Sequence, residues 1–458
     1  MKKSLKIIKK VFLIWIIYTA IGVIILPLYH KPSMQETEMI ERNYNTGPQE
    51  RVRSIDTNID ALLWRLRLIE AAKERIVLAT FDFRDDNSGQ DIMSALLNAA
   101  DRGVKVQILV DGINGDLWLL SSRNFHELAA HENVEVRLYN PINLLTSWKV
   151  NYRMHDKYLI ADDFAYILGG RNTGDLFLGD YAKACNEDRD ILVYEMDAGN
   201  GNSYIELQEY FEQIWNLPCC KQIHWCTGEK GNLRLHYQEV REKYPEAFVE
   251  TEWKKVTVET EGIKLYVNPM EPENKSPLLW DKLVEEMEQE GNVLIQTPYI
   301  ICSRDMYRDL AEICEKNLKT ELIINAVECG SNPFGCTDYL NQKKKVEKTG
   351  ICTYEYLGGH ALHTKTILIG DHISIVGSCN MDMRSVYLDT EMMLVINSRE
   401  LNTSLWEQTE ILKQRSRMVS PDGMTIDGEN YQETKQGVGK TVFYQILRVV
   451  IIPFRHLL

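Results

Sequence analysis

The sequence predicts an α/β fold made of two duplicated lobes packed about a pseudo-twofold axis, with one N-terminal transmembrane helix. Three observations predict it. An uncharged apolar run follows a cluster of lysines at the N-terminus. "HDKYLIADDFAYILGGRN" and "HTKTILIGDHISIVGSCN" place the same polar residues in one register. The same strand–helix–strand order precedes both stretches, as expected of an internal repeat. A length of 458 residues also suits two or three domains better than one core.

Taken in order, Lys2, Lys3, Lys6, Lys9 and Lys10 precede the run from Val11 to Leu28. Eighteen helical residues span about 27 Å, near the hydrocarbon thickness of a bilayer. The run is longer than a signal-peptide core and lacks a small-x-small cleavage site, so residues 1–28 read as an anchor. Lysines before the span stay in the cytoplasm, which makes this a single-pass cell-membrane protein with its lobes outside. Residues 29–54 are polar and weakly periodic and read as a linker.

The first lobe, 55–250, opens with the strand "ERIVLATFDF" and continues through "QDIMSALLNAADRGVKVQILVDG", a helix and then an apolar strand. The second, 251–419, repeats this as "GNVLIQTPYII" and "DMYRDLAEICEKNLKTELIINAV". In each lobe a hairpin follows. Gly169 and Asn172 lie fourteen and seventeen residues after His155, and Gly377 and Asn380 lie at the same distances after His363. In residues 420–458 a loose stretch leads into Thr441–Leu458, which is apolar but interrupted by Arg448, Arg455 and His456. It cannot span a bilayer and is expected on the membrane surface, the alternative being a helix docked on the protein itself.

Composition narrows the function. Hydrophobic residues at 44% and charged ones at 26% describe a globular chain. A net charge of −14 argues against a broad nucleic-acid surface, so no nucleic-acid partner is expected. Ten cysteines show no metal-ligand rhythm, and "CCKQIHWC" lacks paired C-x-x-C spacing, so no metal is assigned.

Alternate residues of a strand share a face, so His155 and Lys157 point together, as do His363 and Lys365. One polar strand is an ordinary exposed face; two in register are not. Two facing imidazoles suit a two-step displacement at phosphorus, in which one attacks and the other protonates the leaving alkoxide. Acids follow each hairpin, Asp188 and Asp190 in "NEDRDILVYE" and Glu391 in "LDTEMMLVI", and a carboxylate there can hold a ring in one tautomer. Lys157, Lys365, Asn172 and Asn380 can bind non-bridging phosphate oxygens, a charge role that needs no metal or other cofactor.

"HDKYLIAD" resembles the H-x-K-x4-D motif of the phospholipase D superfamily, and the second copy fits it nearly as well. "GGRNTGD", "TPYI", "GSCNMDMRS" and "LDTEM" are most similar to bacterial cardiolipin synthases. The resemblance covers roughly Ser54 to Arg417. It implies two phospholipase D-like lobes, each an α-β-α sandwich, with one active site between them. It also implies a phosphatidyl-histidine intermediate, with His155 as nucleophile, His363 as general acid, and Asp188 and Glu391 as the acids that orient them. The implied phospholipid partners are phosphatidylglycerol foremost, with phosphatidylethanolamine as an alternative and cardiolipin as the product. Asp162 completes the first motif and is counted with the catalytic set, though the resemblance implies a mainly structural role for it. Gly370 stands at that position in the second, with Asp371 one place later, which implies weaker support there without loss of catalysis. On a regular strand Asp371 would face the other way, and a bulge would bring it back. The expected activity is a membrane-bound phosphatidyltransferase of the cardiolipin synthase kind. A hydrolase of the same architecture, a phospholipase D before a nuclease, and a non-catalytic binding platform are the alternatives.

Overall fold

The computed structural model describes residues 2–26, 50–223, 231–272, 275–289, 291–434 and 436–458. Two nine-stranded mixed sheets organise it. The first runs Val258–Glu259, Glu50–Ile55, Asp190–Glu195, Ala165–Gly169, Tyr158–Ala161, Arg75–Thr80, Lys105–Asp111, Val134–Tyr139, Cys220–Gln222. The second runs Gly262–Val267, Met392–Asn397, Ile373–Gly377, Thr366–Ile369, Asn292–Gln296, Lys319–Asn325, Cys352–Tyr356, Ser416–Val419, Thr425–Asp427. From Glu50–Ile55 and Gly262–Val267 onward, the two orders match strand for strand over eight positions. Each sheet then adds one short strand, at opposite edges.

Three strands in each sheet are parallel and are joined by crossover helices, among them Asn87–Asp101 and Arg304–Lys316. These strands are apolar on both faces because both are covered. In Asn292–Gln296, Val293 and Ile295 face the second lobe's own helices, while Leu294 faces the other lobe. The inter-lobe core sets Val77, Leu168 and Val193 of the first sheet with Leu368, Val376 and Leu394 of the second. Phe211, from helix Asn202–Trp215, and Leu405, from helix Arg399–Gln414, complete it.

Three expected boundaries move. Glu50–Ile55 is a sheet strand, not linker; Arg51 finds Glu259 at 2.7 Å and the Thr257 carbonyl at 2.6 Å, so its polar sequence is satisfied inside the fold. Val258–Glu259, counted with the second lobe, pairs with the first lobe's sheet. Thr425–Asp427, counted with the tail, closes the second sheet. The remaining linker residues, 29–49, lie outside the described residues.

The N-terminal helix Lys2–Ala20 continues into a π-helical turn, Ile21–Ile25. Val11 to Ile17 are exposed, but the end of the run packs on the protein. Tyr18 Oη donates to the Leu145 carbonyl at 2.8 Å, Asn151 Nδ2 donates to that of Val23 at 2.8 Å, and Gly22 is buried against Ser147. Among the described residues no helix is long and apolar enough to cross a membrane, and Pro27 and Leu28 of the expected span lie outside them.

Candidate active site

The segments that carry the two H-x-K motifs enter the lobe interface and pair with the opposite lobe. Met154 bridges Thr390, and Ala361–Leu362 pairs in parallel with Asn186–Glu187. The His155 backbone N–H donates to the Thr390 carbonyl at 3.3 Å, and that of His363 to the Glu187 carbonyl at 2.6 Å. The residue after each acceptor is the orienting acid, so each histidine receives its carboxylate from the other lobe. His155 Nδ1 lies 2.8 Å from Glu391 Oε1, and His363 Nδ1 lies 2.5 Å from Asp188 Oδ2. With Nδ1 beside a carboxylate, Nε2 of each ring is the atom turned to chemistry, and that of His363 lies 3.2 Å from Lys365 Nζ.

Both lysines are buried beside their histidines. Lys157 Nζ donates to the His155 carbonyl at 2.5 Å; Lys365 Nζ donates to the His363 carbonyl and stands 3.7 Å from Asp188 Oδ2. Gly169 N–H donates to the Lys157 carbonyl and Gly377 N–H to that of Lys365, so the hairpins lock the motifs alike. The next residue differs between lobes for a reason. A Cβ on Gly170 would sit 2.5 Å from the Asp188 carboxylate, whereas Ser378 uses its hydroxyl to donate to Glu391. Asn172 and Asn380 follow, and each buries its Oδ1 without a protein partner.

Burial, then the charges of Lys157 and Lys365, hold His155 well below the usual imidazole range. Burial and Lys365 push His363 down to about 4, against the pull of Asp188. Burial also works against ionisation of Asp188, but Lys365 and His363 outweigh it and hold that carboxyl at about 2. Burial pushes the Glu391 carboxyl up, with Lys157 the largest opposing influence. Burial lowers Lys157 to about 7. The site's own groups therefore form a desolvated cluster short of negative charge, which an anionic phosphodiester would supply.

Of the residues singled out in the sequence, His155, Lys157, His363, Lys365, Asp188, Glu391, Asn172 and Asn380 converge on the interface. Asp162 does not. It sits at the turn after Tyr158–Ala161, at the other end of that strand from His155, with φ +48°. Its carboxylate accepts the backbone N–H groups of Lys73, Glu74 and Arg75, each at 2.8 Å, so its work is structural. Gly370 occupies the matching turn with φ +56°, a backbone that glycine adopts freely. Asp371 does not return through a bulge; it is on the surface, paired with Arg399 at 2.6 Å. In "CCKQIHWC", Cys219 and Cys220 are described, while His224 and Cys226 lie outside the described residues.

Three residues at the site were not anticipated. Phe81 and Phe177 set ring edges against His155 and His363, both at 5.0 Å between centroids. Arg384 donates to the Asn151 carbonyl at 3.0 Å and pairs with Asp389 at 3.2 Å, close enough for its charge to bear on His155. Only Arg384 had a sequence signal, four places after Asn380 in the second hairpin.

Known proteins resemble this chain over most of its length. The family model described as cardiolipin synthase, PLD-like domain, matches residues 66–215 and 283–412, more than half of the chain. The chain is 26% identical over 398 residues to cardiolipin synthase C of Escherichia coli (strain K12), covering 76% of this chain and 81% of the relative. It is also 26% identical over 348 residues to cardiolipin synthase B of Shigella flexneri, covering 74% of each. An uncharacterized protein of Helicobacter pylori (strain J99) is 26% identical over 437 residues, covering 83% of this chain and 85% of that one. Among solved structures, the phosphatidylserine synthase of Haemophilus influenzae Rd KW20 superposes with a TM-score of 0.64 at 13% identity, covering 91% of this chain and 98% of that one. Two H-x-K motifs meeting between duplicated lobes, together with this match, establish that the chain belongs to the family of cardiolipin synthase PLD-like domains of the phospholipase D superfamily.

Proposed function

We propose that the protein is a phosphatidyltransferase that makes cardiolipin from phosphatidylglycerol and a second phospholipid. The observation that carries this reading is the crossed pairing of His155 with Glu391 and His363 with Asp188. It turns one Nε2 atom from each lobe to the two proton and phosphoryl tasks, that of His363 with Lys365 Nζ beside it at 3.2 Å. His155, held neutral by burial and two lysines, attacks phosphorus and forms the phosphatidyl-histidine. The substrate's negative charge between Lys157 and Lys365 relieves the repulsion on His363. With ionised Asp188 behind it, His363 takes up the proton that it gives to the leaving glycerol. It then removes the proton of the acceptor alcohol, and the second displacement frees His155. Lys157, Lys365, Asn172 and Asn380 steady the non-bridging oxygens.

The N-terminal helix serves as a single membrane anchor with the lobes outside the cytoplasm, a reading supported by Lys2 to Lys10 before the apolar run. A fused reporter at Leu458 that works only in the cytoplasm would overturn it. Activity is tested with the purified full-length protein in phosphatidylglycerol vesicles. Glycerol release with cardiolipin formation is expected. Phosphatidic acid as the only product, across several donor lipids, would show a hydrolase instead.

A further inference from the structure

The helix Val438–Val450 is amphipathic the wrong way round for a protein in water. Its polar side faces inward. Lys440 Nζ donates to the Glu328 carbonyl at 2.8 Å, Arg448 Nε donates to Asn341 Oδ1 at 2.8 Å, and Tyr444 between them is buried. Positions 440, 444 and 448 are one helical stripe. The opposite stripe is apolar and open, with Val438 81%, Val442 53%, Ile446 61% and Val449 69% exposed. A surface helix ordinarily turns its apolar stripe to the core and its charges to solvent. Here the charges are spent on holding the helix to the protein, and the apolar stripe is presented outward.

That stripe joins a second apolar patch at the mouth of the site. Trp118, Leu144 and Leu145 are 45%, 45% and 77% exposed, in loops that follow Lys105–Asp111 and Val134–Tyr139. The Ile142 N–H donates to Asp116 Oδ2 at 2.8 Å, which ties these loops together. Asp111 accepts the Met154 N–H at 3.0 Å, which puts them at the end of the sheet that carries His155. The N-terminal helix links the two patches, through Tyr18 to the Leu145 carbonyl and through Ile24, whose carbonyl lies 3.2 Å from His456 Nε2. The apolar run of that helix is exposed as well.

We propose that the outward stripe of the C-terminal helix and the Trp118, Leu144 and Leu145 rim form one docking face whose occupant is a lipid leaflet, setting the mouth of the lobe interface against the bilayer. The proposal rests on the phospholipid reading above and adds which surface meets the lipid. Continuity with the lysine-flanked apolar helix argues for a leaflet. The sequence of residues 27–49, "PLYHKPSMQETEMIERNYNTGPQ", is too polar to cover an apolar stripe. A leaflet accepts such a stripe without a matching protein surface.

The test uses the full-length protein in phosphatidylglycerol vesicles, with the photo-crosslinking residue p-benzoylphenylalanine at Ile446, at Leu145 or, as a control, at Lys73, beside Asp162 at the far end of the sheet from His155. Lipid adducts at Ile446 and Leu145 but not at Lys73 are expected. Adducts to a second copy of the chain, or lipid adducts equally at all three, would overturn the proposal. This readout needs no turnover, so it judges the docking face even if no cardiolipin forms. In parallel, Val442→Glu combined with Ile446→Glu and Val449→Glu should lower turnover on vesicles about tenfold or more, since docking strength follows buried apolar area. Turnover of dihexanoyl phosphatidylglycerol, supplied as monomers in solution, should change less than about twofold, because no docking is needed. An equal fall on both substrates, or none on vesicles, would overturn it.

Discussion

Replacing Asp188 by Asn should separate the charge of the orienting acid from its shape. Asp188 is 2% exposed and faces His363, Lys365 and the Arg189 backbone N–H, which donates to it at 2.8 Å. The native site lowers its pKa from 3.8 to about 2. At 1.36 kcal/mol per pKa unit, that is about 2 kcal/mol favouring the ionised, folded form. The sign follows from linkage. A depressed carboxyl contributes fully above its unfolded pKa and loses the contribution as pH falls through the folded value, so about half remains at pH 3. Asp188→Asn should therefore destabilise the protein by about 2–3 kcal/mol at pH 7 and visibly less at pH 3, read from urea melts in one detergent. The amide also presents an N–H to His363 Nδ1, which favours the wrong tautomer and removes support for the imidazolium. By analogy with the triad aspartate, turnover should fall about 10³–10⁴-fold, measured as initial glycerol release. Adding Asp188→Asn to His363→Ala should cost little more, because the acid acts through that ring. A residual rate above about one-hundredth, or a stability loss as large at pH 3 as at pH 7, would refute the reasoning.

Other consequences are as open to measurement. With Lys157 at about 7, kcat/KM should fall as pH rises through that value, because the free enzyme loses the cation that meets the phosphate. Lys157→Arg should flatten that limb even if its rate is lower, and an unchanged limb would clear Lys157 of responsibility. Glu50 and Glu195 are neighbouring buried acids, raised mainly by burial to about 7 and about 9. The folded protein keeps those protons after the unfolded chain has lost them, so stability should drop as pH climbs from about 4.5 toward 9. Glu195→Gln should then raise stability clearly at pH 8 and be neutral at pH 4, checked by thermal melts at both. Finally, Asp162→Ala should cost about 2–3 kcal/mol by orphaning three backbone N–H groups, with kcat per folded molecule retained. Asp371→Ala should leave melting and turnover unchanged, and equal effects at the two positions would contradict their assigned roles.

The catalytic residues were legible because their signal is local. The H-x-K spacing, the glycines and the asparagines recur at fixed offsets from His155 and His363, and a duplicated fold must keep such offsets when strand lengths are set by hairpin geometry. The apolar strands and amphipathic helices of both lobes were legible for the same reason. Glu50–Ile55 was not. A strand reading "ERVRSI" is polar by composition, and its Arg51 finds Glu259 and the Thr257 carbonyl about two hundred places away.

Tertiary structure alone decided which carboxylate serves which histidine. Asp188 and Glu391 each precede a strand of their own lobe, yet the backbone pairing of Glu187 with His363, and of Thr390 with His155, sends each acid across the interface. It also decided that Asp162 is a backbone cap far from the chemistry, since a carboxylate's partners are set by what the fold brings to it. In the tail the apolar and polar stripes could be read from the sequence, but not which one faces the protein. That depended on the Asn341 side chain and the Glu328 carbonyl, which claimed Arg448 and Lys440 and turned the apolar stripe outward. Periodicity is written in the order of residues, whereas the choice of partner belongs to contacts between residues that only folding brings together.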